Sequence, residues 1–155
     1  VKIIPQDLDS FFKVCFILDN LNKVPQNANL WLIYLLSYIN GDITLEDISE
    51  IAYCIDFLYS KITLKPNELT QLVSNTKELL KKVRIFYKGD GSYRSSLKVS
   101  PLDETRHALF SINLLEDLVQ DMVFYYSVTE LKPIKRIYEN AEDVDKTYKL
   151  LRGAK

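Results

Sequence analysis

Apolar positions along this chain recur mostly at three- and four-residue spacing, the period of an α-helix. After Pro5-Gln6-Asp7, the residues Leu8, Phe11, Phe12, Cys15, Phe16 and Leu18 predict a first helix reaching about Asn22, broken by Pro25 and Asn27-Ala28-Asn29. Trp31, Leu32, Tyr34, Leu35, Leu36 and Tyr38 predict a second helix from about Leu30 to Ile39, apolar around nearly its whole circumference. That pattern marks it as the most buried element, and Asn40-Gly41 after it suits a left-handed cap. Thr44 followed by Asp47 is a near-match to a capping box and opens a third helix with Ile48, Ile51, Ala52, Ile55, Phe57, Leu58 and Ile62 on its stripe. Lys65-Pro66 opens a fourth, carrying Leu69, Leu72, Val73, Leu79 and Leu80. Ser100-Pro101, with Asp103 and Glu104, opens the longest helix, reaching about Tyr125 or Tyr126. Beyond Pro133 and the basic piece Ile134–Tyr138, Asn140 can cap a last helix over Ala141–Arg152.

One stretch departs from this rhythm. Residues 83–99 place two runs with β-branched and aromatic residues around Gly89-Asp90-Gly91 and read as a β-hairpin. Alternation would put Val83, Ile85, Tyr87, Tyr93, Ser95, Leu97 and Val99 on a core-facing side, with Arg84, Phe86, Lys88, Arg94, Ser96 and Lys98 opposite. The expected fold is therefore mainly α, a bundle of about five to six helices in a single domain over 1–155, with the hairpin at 83–99 as a small subdomain. A chain of 155 residues, 47% apolar, is long enough to bury such a core.

Charge sharpens the picture. The net charge is −1, but residues 81–100 hold six basic and one acidic side chain, and residues 101–130 one basic and six acidic. Segregation of this kind marks a directional surface, unless the acidic helix simply packs beside the basic stretch and neutralises it. Candidate nucleic-acid-binding residues are Lys81, Lys82, Arg84, Lys88, Arg94 and Lys98, tracking phosphates, with Phe86 as a stacking platform. Lys132, Lys135 and Arg136 form a second candidate patch. The same charges would also keep an exposed hairpin edge from aggregating, and a strand edge can pair with a second subunit.

Catalytic chemistry is sparse. The single histidine, His107, rules out two-histidine metal sites, and no nucleophile occupies a strand-turn-helix elbow. Gly89-Asp90-Gly91 lacks the Lys and Ser/Thr of a phosphate loop. Clustered carboxylates such as Glu46, Asp47 and Glu50 read as solvated helix faces. Cys15 and Cys54 read as buried thiols, with a bridge open if their helices are neighbours. No enzyme, cofactor or metal is expected. With no signal-peptide pattern and no apolar run of bilayer length, a cytoplasmic protein without a membrane partner is expected.

A helical bundle from the Asp7–Asn22 helix to the Ala141–Arg152 helix, interrupted late by Val83–Val99 and poor in Met, Gly and His, resembles the small subunit of the archaeal type I-A CRISPR surveillance (Cascade) complex. The Ile/Leu/Lys/Tyr-heavy composition is also similar to that of crenarchaeal proteins. The resemblance implies a non-catalytic subunit in antiviral defence. Its partners would be the other subunits of a ribonucleoprotein and CRISPR RNA with its DNA target, where it helps hold the target or displaced strand. It supplies no binding residues position by position. The alternative is a helical protein–protein adaptor using Trp31 or Tyr125-Tyr126. A helix-turn-helix regulator is disfavoured, because the helix after Asn40-Gly41 begins with Glu46, Asp47 and Glu50.

Overall fold

The computed structural model describes residues 3–130, with side chains through Tyr125. Five α-helices form among them: α1 (Leu8–Asn20), α2 (Ala28–Leu36), α3 (Leu45–Tyr59), α4 (Pro66–Ile85) and α5 (Pro101–Glu130). A 3-10 turn, Ser37–Asn40, extends α2. The expected mainly helical bundle is the fold of the chain. Its backbone divides into two compact units, Val1–Val119 and Gln120–Lys155. The helix expected over Ala141–Arg152 lies outside the described residues. No helix among the described residues is long and apolar enough to cross a membrane.

Local signals start the helices where expected. Asp7 caps α1 by accepting from the Ser10 N–H at 2.8 Å. Thr44 and Asp47 form a complete capping box at α3, each side chain accepting from the other's backbone N–H at 3.1 and 2.9 Å. Pro66 stands at the first position of α4. At α5, the Ser100 hydroxyl accepts from the Asp103 N–H at 3.2 Å and donates to its carboxylate at 3.0 Å.

The hub is α3, which packs against α1, α2 and α4. Leu45, Ile48, Ile51, Ala52, Cys54, Ile55, Phe57 and Leu58 are all buried, giving it a buried arc wider than the stripe of a surface helix. The expectation that α2 is the most buried element is corrected. Trp31, Leu32 and Leu35 turn inward, but Leu30 and Ile33 are exposed. Continuous apolarity does not say which side of a helix meets neighbours, and α3 covers only one side of α2. Gly41 is also extended (φ −92°) rather than left-handed, since the 3-10 turn already closes the helix. On the α1–α3 seam, Cys15 and Cys54 are both fully buried free thiols. The Cys54 thiol is pushed up by its hydrogen bond with Cys15 and by burial.

The hairpin expected over 83–99 is not present. Helix α4 continues through Ile85, because Leu69, Leu72, Thr76, Leu79, Leu80 and Val83 form one unbroken buried stripe of helical period. The β-branched Val83 and Ile85 belong to that helix, where alternation has no meaning, and Ile85 is 75% exposed. What remains is a tight turn. Tyr87 and Tyr93 form one isolated antiparallel bridge, with Arg94 N–H donating to Phe86 C=O at 3.0 Å and Lys88 N–H to Ser92 C=O at 2.9 Å. Gly89 and Gly91 have φ of +88° and +90°, left-handed geometry that a side chain would strain.

A pH dependence follows from the α1–α3 seam. Half-buried Glu50 is raised to about 7 from 4.5, first by desolvation and then by Glu46, Asp9 and Asp47, with Lys13 offsetting part. The folded chain thus holds this proton more tightly than the unfolded one. Its stabilisation is complete below pH about 4.5 and is lost as pH rises through about 7. Glu50→Gln should leave thermal stability unchanged near pH 4.5 and raise it by a few degrees at pH 8, an effect moderated by water screening. Thermal melts of both proteins across pH 4.5–8 check this, and a gap independent of pH would contradict it.

Candidate interaction surface on the α4–α5 connector

The connector, residues 86–100, carries the candidates Phe86, Lys88, Arg94 and Lys98, and one buried carboxylate positions it. Glu104, on the first turns of α5, is 1% exposed. Its oxygens accept from the Ser95 N–H (3.1 Å), the Ser95 hydroxyl (2.7 Å) and the Ser96 N–H (3.0 Å). The Ser95 oxygen in turn accepts from the Leu45 N–H at 2.8 Å, filling one of the orphan donors at the start of α3. Nearby, the Tyr93 N–H donates to the Thr105 hydroxyl at 3.1 Å. A run of backbone N–H groups that would otherwise form a strand ladder is thus satisfied by α5 side chains, which is the physical reason the second hairpin strand never forms.

The candidate residues then separate. The Lys82 ammonium donates to the Ile39 C=O and, at 3.4 Å, to the Gly41 C=O, closing the end of the 3-10 turn. Arg84 pairs with Glu116 of α5 at 3.0 Å, the neutralisation by the acidic helix that the charge pattern left open. The Arg94 Nε atom is buried without a partner. The uniform cationic face drawn by strand alternation therefore does not exist. Lys81, Lys88 and Lys98 are exposed, and their ammonium groups have no ion pair among the described residues. Phe86, at the end of α4, is half-buried and lines a cleft of about 370 Å³ with Lys82 and the turn before α3. Lys132, Lys135 and Arg136 lie outside the described residues.

Large apolar side chains share this surface. Ile85, Leu97 and Leu102 are 75%, 86% and 78% exposed. Trp31, named above for an adaptor face, is instead fully buried against Phe11, with ring centroids 5.3 Å apart. The side chain of Tyr126 lies outside the described residues.

Composition alone could not find Glu104, Ser95 or Ser49. Glu104 read as a favourable first-turn acid, and only the returning connector makes it a clamp. Ser49 lies 3.3 Å from His107 Nδ1, a contact that ties α3 to α5, and its hydroxyl also donates to the Glu46 C=O at 2.6 Å. Among the described residues no three His, Cys, Asp or Glu side chains converge as a metal site.

The clamp has measurable consequences. Glu104→Ala strands buried N–H groups of Ser95 and Ser96 and should cost about 3 kcal/mol in chemical denaturation. Amide exchange at Ser95 and Ser96 should accelerate well ahead of exchange in α3. Arg84→Ala, by contrast, removes an exposed pair and should cost under about 1 kcal/mol. Equal costs for the two variants would show that the connector is not held this way.

Compared with family models, curated proteins and solved structures, the chain matches none.

Proposed function

We propose that this protein is a non-catalytic subunit of a nucleoprotein assembly that docks through the α4–α5 connector. Its role would be that of a small subunit in a CRISPR-RNA-guided surveillance complex, helping to hold the target or displaced strand. The observation that carries this reading is the division of labour in the connector. Glu104 clamps it from inside, while Lys88 and Lys98 on it, and Lys81 on the preceding α4, are exposed with no ion pair among the described residues. A preorganised surface loses little entropy on binding, and unpaired ammonium groups attract phosphates through counterion release. Three such groups give modest affinity in one copy, and arraying copies along a strand multiplies it.

A second reading, a protein–protein adaptor, draws on a different observation. Ile85, Leu97 and Leu102 are apolar and strongly exposed in and beside the same connector, and Lys82 and Arg84 are engaged within the fold. Exposed apolar side chains rimmed by charge are a common form of protein interface.

Affinity purification of the tagged protein from its native cell separates the two. Short RNA carrying a repeat-derived handle, recovered with a backbone protein, is the expected result. Recovery of unrelated proteins without RNA would leave the adaptor. In vitro, the exposed triple variant K81E/K88E/K98E should keep its fold by circular dichroism. It should weaken single-stranded nucleic-acid binding and flatten the log K against log salt slope by about 2, the value for three phosphate contacts on a single strand. Unchanged binding would remove the connector from the interface.

A further inference from the structure

We propose that the cleft between the turn before α3 and the C-terminal end of α4 is a pocket for a guanine base. The inference rests on the nucleic-acid reading above and names what that surface would recognise. At about 370 Å³ the cleft lies at the small end of the range of ligand pockets, about 300–1,000 Å³. That suits one base or nucleoside. Ile43, Ile85 and Phe86 supply apolar wall, and Phe86 gives a ring on which a base can stack.

The polar groups of the lining select among bases. The Asp42 carboxylate accepts no hydrogen bond and joins no ion pair among the described residues. Thr44 accepts from the Asp47 N–H, which leaves its own hydroxyl proton free to donate. Lys82 places two protons on the Ile39 and Gly41 carbonyls and has a third to give. The cleft thus offers one two-oxygen acceptor and two donors. Guanine carries adjacent N1–H and 2-amino donors that a carboxylate can accept together, with O6 and N7 as acceptors for a lysine or hydroxyl. Adenine lacks the paired donors, and the pyrimidines present only one N–H group of the kind at a time. A partner's guanidinium would also satisfy Asp42, but the Lys82 ammonium in the same lining repels a cation. Of the leading N–H groups of α3, those of Leu45 and Asp47 are taken by Ser95 and Thr44.

The test uses nucleosides, so that no phosphate contributes. Guanosine, inosine and adenosine are titrated into the whole protein and followed by calorimetry and by NMR shifts of the Phe86 ring. Guanosine should bind at least tenfold more tightly than inosine, which lacks the 2-amino group, and tighter still than adenosine. Asp42→Asn, at an exposed position, should abolish the preference, and Phe86→Leu should weaken all three nucleosides. Equal affinities, no saturable guanosine binding, or a preference that survives Asp42→Asn would each overturn the pocket. Guanosine-blind protein that still binds oligonucleotides through Lys81, Lys88 and Lys98 would sink the pocket alone. Selective guanosine binding without oligonucleotide binding would instead sink the nucleoprotein reading.

Discussion

The hydrogen bonds that run from the Leu45 N–H through the Ser95 hydroxyl to the Glu104 carboxylate organise this side of the molecule. A buried carboxylate is costly unless its lone pairs are used, and here three donors from the connector use them. Its place on the first turns of α5 adds the favourable end of the helix dipole. The same serine closes the start of α3, so two helix N-termini and one loop share a single polar knot. Once that knot forms, the connector cannot lie flat as a strand, and its outer side chains are carried on a fixed backbone.

The knot also explains how charge is distributed. Pinning the connector between α3 and α5 brings Arg84 beside Glu116 and leaves Lys82 over the carbonyls of the 3-10 turn. Cations that looked equivalent along the chain thereby become different things. Lys82 is a helix cap, Arg84 half of an exposed pair, and Lys81, Lys88 and Lys98 are exposed with no ion pair among the described residues. The cleft at Phe86 combines an aromatic wall with an Asp42 carboxylate that joins no ion pair among the described residues. The binding proposed for this surface depends on backbone held from within, because mobile lysines on a mobile loop would spend much of their interaction energy on ordering.

Beyond its first turn, α3 serves as the shared wall for α1, α2 and α4. Its buried seam with α1 holds the Cys15 and Cys54 thiols, and a tight carboxylate neighbourhood surrounds Glu50 at its edge. The first contributes packing and a thiol–thiol hydrogen bond. The second makes stability respond to protons near neutrality, because one half-buried acid faces three others and only Lys13 opposes them.

Much was legible from residues alone, and for a consistent reason. Helix starts are local events, so Asp7, Thr44 with Asp47, Pro66 and Ser100 could be recognised from neighbours three or four positions away. The mainly helical bundle follows from the same short-range periodicity. What tertiary structure decided was everything that depends on a distant partner. Val83 and Ile85 carry β-branched side chains that suit a strand, yet the buried stripe from Leu69 to Val83 keeps them helical, because packing outweighs a preference of a few tenths of a kcal/mol. Ser95 and Ser96 could have laddered with a neighbouring strand until Glu104, nine and eight positions on, took their N–H groups. Which lysines remain free, and which cleft Phe86 faces, could be settled only by that folding-back of the chain, since charge and aromaticity are properties of residues while availability is a property of the assembled surface.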